Sequence, residues 1–571
     1  MTSSNALAWI IAVPFFAAAL LPIVHRLNKA LVHPIALIGA GSALIFALYA
    51  ASLVVITGAP VMHELGGWPP PWGIELRLDH LSAVMAVLIS SLSFLVLLFG
   101  HGGMEKRLEG RSHFFYSMYL LFSVGLFGMV LTHDLFNLYV FLEVSSLAGY
   151  SLIAVGERAS PFAAFRYLIL GTLGAMLFLL GLGYLYALTG TLNFIDVAER
   201  LAPISDSRAA LVALALMLTG FGIKAALFPL HAWLPDSYAY APNVTVAFMA
   251  AVGTKVGAYG VFRVLFTIYD VGAIPTHVPV VEIMGWIAAV GILAGSILAM
   301  AQSDLKRMLA YSSVSQIGYV LLGFSLLNAN GVIGGVLHIV NHAFMKCCLF
   351  LVVGAMMAQV GHRDIRRLSG MGRKMPGVMA AFSIAAISMV GLPPTAGFFS
   401  KWYLILGALD AHNWVFVAII LVSSLLNAAY FFRVLERVYL TRPEEAESEA
   451  AEQEALAPPA MAAAGGARES SSLMPTSSRE ESSSRTDETI DEERPREEND
   501  RKGSPRVISD SPSRRGATLD DAPEPPWLPP GTLPASLLAP IGITAVSLLV
   551  LGLGSAWLVD NVLRFIVPGG M

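Results

Sequence analysis

The residues in this chain that can do chemistry lie inside apolar runs. Residues 211 to 260, LVALALMLTGFGIKAALFPLHAWLPDSYAYAPNVTVAFMAAVGTKVGAYG, carry Lys224 and Lys255 deep in two long hydrophobic segments. An ammonium group in hydrocarbon costs at least about 2.5 kcal/mol on the most lenient scales, so each lysine requires a reason to be there. Between them FPLHAWLPD interrupts the helical pattern with Pro229 and Pro235 and adds His231 and Asp236 as further titratable groups. A helix broken near membrane depth is tolerated only where its freed backbone groups face protein or water, so the stretch predicts an interior polar path.

Three more groups extend the set. In HDLFNLYVFLEVSSLAGYSLIA, Glu143 follows Asp134 by nine residues, roughly 13 Å along a helix and close to the bilayer middle. Such a carboxylate must be paired, hydrated or protonated; it suits proton handling, or alternatively a permanent ion pair with Lys224. His133 and Asp134 are equally readable as helix-start residues. In VLHIVNHAFMKCCLF, His338, His342 and Lys346 recur every four residues and share one helical face. That spacing fits a proton relay, helix-to-helix hydrogen bonding or, more weakly, two metal ligands lacking a third. In GLPPTAGFFSKW, Gly391, Pro393 and Pro394 break another apolar helix just before Lys401.

The elements that hold these residues must be membrane helices. The 571-residue chain is 56% hydrophobic and 13% charged, with a net charge of -4; a soluble protein of this composition would lack polar surface. Cys347 and Cys348 are adjacent within an apolar run and suggest neither a disulfide framework nor a metal site. No cofactor is expected. About fourteen apolar segments are long enough to span, from 8–24 to 533–556. The first lacks a basic leader and reads as a retained helix. Arg26, Lys29, Lys106, Arg107, Arg111, Arg158, Lys306, Arg307 and the cluster from Arg363 to Lys374 fall in alternate loops. The positive-inside rule makes that side cytoplasmic and puts both termini on the other. Arg263 and Arg433, near helix ends, read as snorkelling, and Asp304, Lys306 and Arg307 as an interfacial loop. The connection GAPVMHELGGWPPPWGIELRLD reads as an interfacial loop with short strands or turns.

Broken helices with lysines recur in the seventh and twelfth spans. The fold expected is therefore all-α and polytopic, with two inverted five-helix repeats. Its segments are 1–112 with spans one to three, 113–267 and 279–440 as the repeats, and 526–571 with the last span. Between them 441–525, with PEEAESEAAEQE and long Ser-rich charged runs, reads as a disordered cytoplasmic linker.

In order, HDLFNLYVFLEVSSLAGYSLIA, GFGIKAALFPLHAWLPDSY, TKVGAYGVFR, SDLKRMLAYSSVSQIGYVLLG, HIVNHAFMKCCLF and GLPPTAGFFSKW resemble the antiporter-like subunits of respiratory complex I, membrane-bound hydrogenases and Mrp-type cation/proton antiporters. The likeness is strongest to the D-type subunit of the Mrp antiporters and covers roughly residues 75 to 440. It implies a fourteen-helix core, Glu143 and Lys224 as the first functional pair, then Lys255, His338 and His342, and Lys401 as the terminal group. His231, Asp236 and Lys346 are secondary candidates. It also implies partner membrane subunits, with protons and Na+ as the transported ions and no nucleic acid. Three functions stay open: a subunit of a cation/proton antiporter, a proton-pumping subunit of a redox enzyme, and an inactive scaffold. The scaffold gives no reason to keep costly buried charges, and the chain has neither a Cys cluster for iron-sulfur ligation nor a nucleotide loop.

Overall fold

The computed structural model describes residues 5–101, 110–271, 280–441 and 533–569, with 108 and 528. Beyond its first residue, the 441–525 segment expected as a disordered linker lies outside the described residues.

The chain is a helical, multi-pass membrane protein. In order it forms α1 (Asn5–Leu27), α2 (Val32–Thr57), strands β1 (Val61–Glu64) and β2 (Glu75–Leu78), α3 (His80–Phe99), α4 (Ser112–Leu131), α5 (Leu135–Ala154), α6 (Ser160–Thr189) and the short amphipathic α7 (Phe194–Leu201). Then come α8 (Arg208–Ala225), α9 (Leu234–Tyr240), α10 (Asn243–Ile268), α11 (Val280–Met300), α12 (Leu305–Ser325) and α13 (Ala329–Val360). The series ends with α14 (Pro376–Val390), α15 (Ala396–Asp410), α16 (Trp414–Tyr439), α17 (Ala535–Leu553) and α18 (Ser555–Asn561). Twelve helices among the described residues are long and apolar enough to cross a membrane. The other two expected spans are α12, whose 21 residues are diluted by Ser, Gln and basic side chains, and the broken α14–α15 pair. α10 and α13 are almost wholly buried, whereas α1, α2, α6 and α16 turn apolar faces such as Ile38, Phe165 and Leu425 outward, as lipid contact requires.

Polar residues start many of these helices because the first N–H groups have no intrahelical acceptor. Asp79, Asp134, Asn193, Asp304 and Asn328 each accept from a backbone N–H one turn into the helix that follows. Asp134 is thus a helix-start residue, its carboxylate 2.7 Å from the Asn137 nitrogen.

Two polar faces cap the bundle. On one, β1 and β2 pair antiparallel, so the Pro/Gly-rich connection does contain short strands. The hairpin docks on the α4–α5 turn, Leu76 bridging Thr132 and the His133 N–H donating to Glu75 O. Arg263 on α10 is buried here instead of snorkelling: its Nη2 donates to Asp79 at 2.7 Å and Ser82 at 2.8 Å, its Nε to Tyr259 at 2.8 Å. Burial disfavours the Asp79 carboxylate, but the Arg263 guanidinium and the bonds from Ser82 outweigh it and hold the carboxyl well below its usual range.

One traverse of α5 leads to the opposite face. There Arg363 pairs with Asp304 and with Glu157, the latter at 2.5 Å. Lys306, expected in an interfacial loop, is instead buried at the start of α12, donating to Ala241 O at 3.2 Å with Glu157 3.8 Å away. Arg433 does not snorkel either; it donates to Met300 O and Gln302 O at the end of α11. Sequence distance hides these pairings, since Glu157 and Arg363 are far apart in the chain and adjacent only once α5, α12 and α13 pack.

Arg363→Ala leaves half-buried Asp304 without its cation and Glu157 with only the more distant Lys306. It should cost about 3 kcal/mol, the scale of removing one partner from a buried pair. A thermal unfolding midpoint in detergent equal to that of the wild type would count against this account.

Candidate functional site

Between the two faces the structure sets a row of buried amines and imidazoles across α8, α10, α13 and α15. α8 ends one residue after Lys224, because Ala226 adopts a left-handed conformation with φ +58°. Lys224 Nζ donates to Ser145 Oγ at 3.1 Å and Ser146 Oγ at 2.8 Å on α5. The carbonyl of Ile223, at the break, accepts from the Ala226 N–H at 3.0 Å and from the Trp233 indole at 2.9 Å. Gly257 lets α10 press on this turn: a Cβ there would lie 2.6 Å from the Ala225 nitrogen.

Glu143 is half-buried on α5, three residues before Ser146. Among the ion pairs of the described residues, none joins Glu143 to Lys224. The permanent ion pair open from the sequence is therefore not the arrangement found. Two hydroxyls take the ammonium's hydrogen bonds, and the half-buried Glu143 carboxylate acts on it through space without a direct pair.

Lys255 lies fully buried on α10 just after a π turn, Met249–Gly253, and donates to Ala250 O. A π turn widens the helix and loosens its carbonyl ladder, which opens an acceptor to a side chain. Lys346 on α13 donates to Leu309 O at 2.7 Å and to Ser312 Oγ, both on α12.

His342 and His338 stack with ring centres 5.8 Å apart. Neither ring nitrogen of His342 has a hydrogen-bond partner. Both nitrogens of His338 are engaged: Nε2 meets Gln316 Oε1 at 2.8 Å and Nδ1 meets Ser400 Oγ at 2.9 Å. The histidine pair is thus committed to helix-to-helix contacts on one member, which leaves the metal alternative without two free ligands.

Lys401 closes the row. α14 stops where Gly391 takes φ +91°, and the Lys401 Nζ donates to the freed carbonyls of Met389 (3.1 Å) and Val390 (2.9 Å) and to Ser424 Oγ (3.0 Å). It lies 5.0 Å from the centre of the Tyr319 ring. A cavity of about 380 Å³ opens beside it, lined by Leu392, Trp402 and Leu421 among others.

The secondary candidates divide. Lys346 joins the row. His231 packs against the Phe228 ring, with Tyr311 edge-on and Nδ1 unpartnered. Asp236 is held at the polar face by Arg166 at 2.5 Å and Arg307 at 3.1 Å. Sequence reasoning missed the neutral acceptors Ser145, Ser146, Ser312, Gln316, Ser400 and Ser424. Ser145, Ser146 and Ser400 are signalled only by nearness to charged positions, as in EVSS and SK, Ser312 and Gln316 only by their four-residue spacing, and Ser424 by nothing around it.

Residues 132–427 match the family model described as NADH:quinone oxidoreductase/Mrp antiporter, TM, and residues 70–115 match NADH-Ubiquinone oxidoreductase (complex I), chain 5 N-terminus. The chain belongs to this NADH:quinone oxidoreductase/Mrp antiporter family. The family match takes in every residue of the row, from Glu143 to Lys401. Among relatives, NADH-quinone oxidoreductase subunit N of Desulforudis audaxviator is 48% identical over 431 residues, covering 76% of this chain and 86% of that one. The D-type subunit of the Na(+)/H(+) antiporter of Alkalihalophilus pseudofirmus is 31% identical over 443 residues, 77% of this chain and 88% of that one. In a solved Mrp complex from a Dietzia species, one chain superposes with a TM-score of 0.77 at 26% identity, covering 99% of this chain and 97% of that one. The family resemblance expected from the motifs, and the all-α polytopic fold, are borne out.

Gly391→Ala tests the second break. The new Cβ would sit 2.9 Å from Lys401 Cδ in a backbone conformation that side chains resist. The variant should lose about 1–3 kcal/mol and displace the ammonium from the Val390 carbonyl. A structure of the variant with Lys401 unmoved and stability unchanged would refute this.

Proposed function

We propose that this chain is the proton-translocating subunit of a multisubunit monovalent cation/proton antiporter, passing protons along the membrane mid-plane through Glu143, Lys224, Lys255, Lys346, His342, His338 and Lys401. The observation that carries the reading is the row itself. Each amine is hydrogen-bonded to carbonyls and hydroxyls and takes part in none of the salt bridges among the described residues. Lys255, Lys346 and Lys401 can therefore gain or lose a proton without stranding a buried counterion, while Lys224 does so within reach of the half-buried Glu143 carboxylate. Loss or gain at one site changes the field at the next, which couples their titrations. Likeness to a Mrp-complex chain over nearly the whole length supports the antiporter setting, and the name of the 31% identical relative, a Na(+)/H(+) antiporter subunit, is what favours Na+ as the exchanged cation. In this reading the basic Arg363 face is cytoplasmic, both termini lie on the hairpin side, and other membrane subunits complete the complex, one of them against the flank beside Lys401.

A second reading, a membrane-arm subunit of a redox-driven proton pump, is favoured by the 48% identity to a protein named NADH-quinone oxidoreductase subunit N. The two share this subunit's chemistry and differ in its neighbours. Copurification of the intact assembly separates them: small membrane subunits alone favour the antiporter, and quinone- or iron-sulfur-binding subunits favour the pump.

Glu143→Ala and Lys224→Ala should each reduce coupled proton movement by at least about a hundredfold, the scale of losing a proton-transfer group, while leaving the complex assembled. Transport by either assembled variant at near wild-type rate in vesicles would sink the proposal.

A further inference from the structure

The bond pattern around His338 goes beyond a list of titratable groups. Gln316, on α12, is fully buried and presents Oε1 to His338 Nε2 at 2.8 Å. In this orientation of the amide, which leaves the Gln316 Nε2 without a partner, Oε1 only accepts, and that puts the imidazole hydrogen on Nε2 and the lone pair on Nδ1. Nδ1 faces the hydroxyl of Ser400, 2.9 Å away on α15. Ser400 Oγ is also 3.1 Å from Gly397 O, and Ser400 immediately precedes Lys401 in the chain. The hydroxyl therefore has an acceptor for its hydrogen on either side, His338 Nδ1 or Gly397 O. Tyr319 and His342 pack against the ring, with ring centres 5.4 and 5.8 Å away, and hinder its turning over.

We propose that Gln316 is a positioning residue that fixes the tautomer of His338, and that the Ser400 hydroxyl is the proton carrier between His338 Nδ1 and the Lys401 end of the row. The inference rests on the proton-relay reading above. The step balances simply. Lys401 Nζ is bonded to Met389 O, Val390 O and Ser424 Oγ and not to Ser400. The Ser400 hydroxyl hydrogen therefore passes to His338 Nδ1 as Oγ takes a proton from the Lys401 ammonium through an intervening water, which leaves Lys401 a neutral amine. His338 becomes imidazolium, with Nε2–H still donated to Gln316 Oε1; the return transfer reverses both moves. No oxidant, metal or second substrate takes part. The amide plays the part an acceptor plays behind any relay histidine: it aims the ring and stabilises the cation that forms. The sites that face His338 are Lys401 on α15, Lys255 on α10, Tyr319 on α12, and His342 on its own helix. None carries negative charge at neutral pH, so Gln316 is the group through which a change in acceptor strength would reach the ring.

The test uses the whole assembled complex in vesicles, with proton movement followed against pH for Gln316→Glu, Gln316→Leu, Ser400→Ala and Ser400→Thr. A carboxylate at position 316 favours the imidazolium, so Gln316→Glu should move the His338-dependent limb of the rate profile to higher pH by about one unit or more. Gln316→Leu removes the acceptor and should lower the maximal rate about tenfold or more. Ser400→Ala should do the same, and Ser400→Thr, which keeps a hydroxyl, should restore transport. A purely structural role would lower assembly or stability in these variants without moving the pH profile, and would not distinguish Thr from Ala by their hydroxyl. A Gln316→Glu profile that superimposes on the wild type, or Ser400→Ala transport at wild-type rate, overturns the inference. If Glu143→Ala and Lys224→Ala abolish transport in the same assay, that failure leaves the proposed function standing; if they do not, it is the proposed function that fails.

Discussion

The constraint on which this structure depends is how to bury an ammonium group without pairing it directly with a carboxylate. A second charge would double the desolvation cost and lock the pair into one protonation state. Lys224, Lys255, Lys346 and Lys401 are each solved with neutral acceptors. Helices, however, consume their own carbonyls. An unbroken bundle has few acceptors to offer at mid-membrane depth except serine hydroxyls. The irregularities of the fold follow from that shortage.

Each lysine sits where the helical ladder fails or a serine substitutes for it. Lys401 takes the carbonyls released where α14 stops, and α14 stops because Gly391 can adopt a left-handed backbone. Lys255 takes a carbonyl beside a π turn. Lys346 takes Leu309 O and the Ser312 hydroxyl from the neighbouring α12. At the first break the Ile223 carbonyl is taken by the Ala226 N–H and the Trp233 indole, so Lys224 depends on the two α5 serines instead. Two broken helices that look alike in sequence thus use their breaks differently. Only the second break hands its carbonyls to the lysine.

The same shortage explains which features are legible in the sequence. Apolar length exposes the spans, and lysines within them announce the site because burying a charge is costly whatever surrounds it. Pro229, Pro235, Gly391 and Pro393 mark the breaks, for backbone reasons that hold locally. The partners stay hidden because hydroxyls and amides are cheap to place anywhere in a helix; nothing in SSVSQ distinguishes Gln316 as the residue against His338. Arg263, Arg433 and Lys306 depart from their sequence reading for the complementary reason. Near a helix end an exposed and a buried cation have the same sequence signature, and only packing against Asp79, the α11 terminus and Glu157 separates them. Whether Glu143 pairs with Lys224 turns on rotamers and a helix crossing, which no spacing encodes.

The distribution of charge then divides the molecule by depth. At the two faces, cations and carboxylates meet directly, as Arg263 with Asp79 and Arg363 with Glu157 and Asp304. Such pairs resist protonation changes, since removing either charge strands the other. Between the faces the four amines and His338 have dipoles for hydrogen-bond partners. A dipole can turn to meet a neutral amine or a cation at modest cost, whereas a fixed counterion cannot. In the proposed relay the faces hold the bundle in one arrangement while the middle changes its charge. Under the proposed relay this predicts that replacing a mid-membrane acceptor such as Ser146 by aspartate, which supplies a counterion in place of a dipole, would strengthen the bundle's hold on Lys224 and slow proton movement. A faster or unchanged rate in assembled vesicles would show that the neutrality of these acceptors has no bearing on transport.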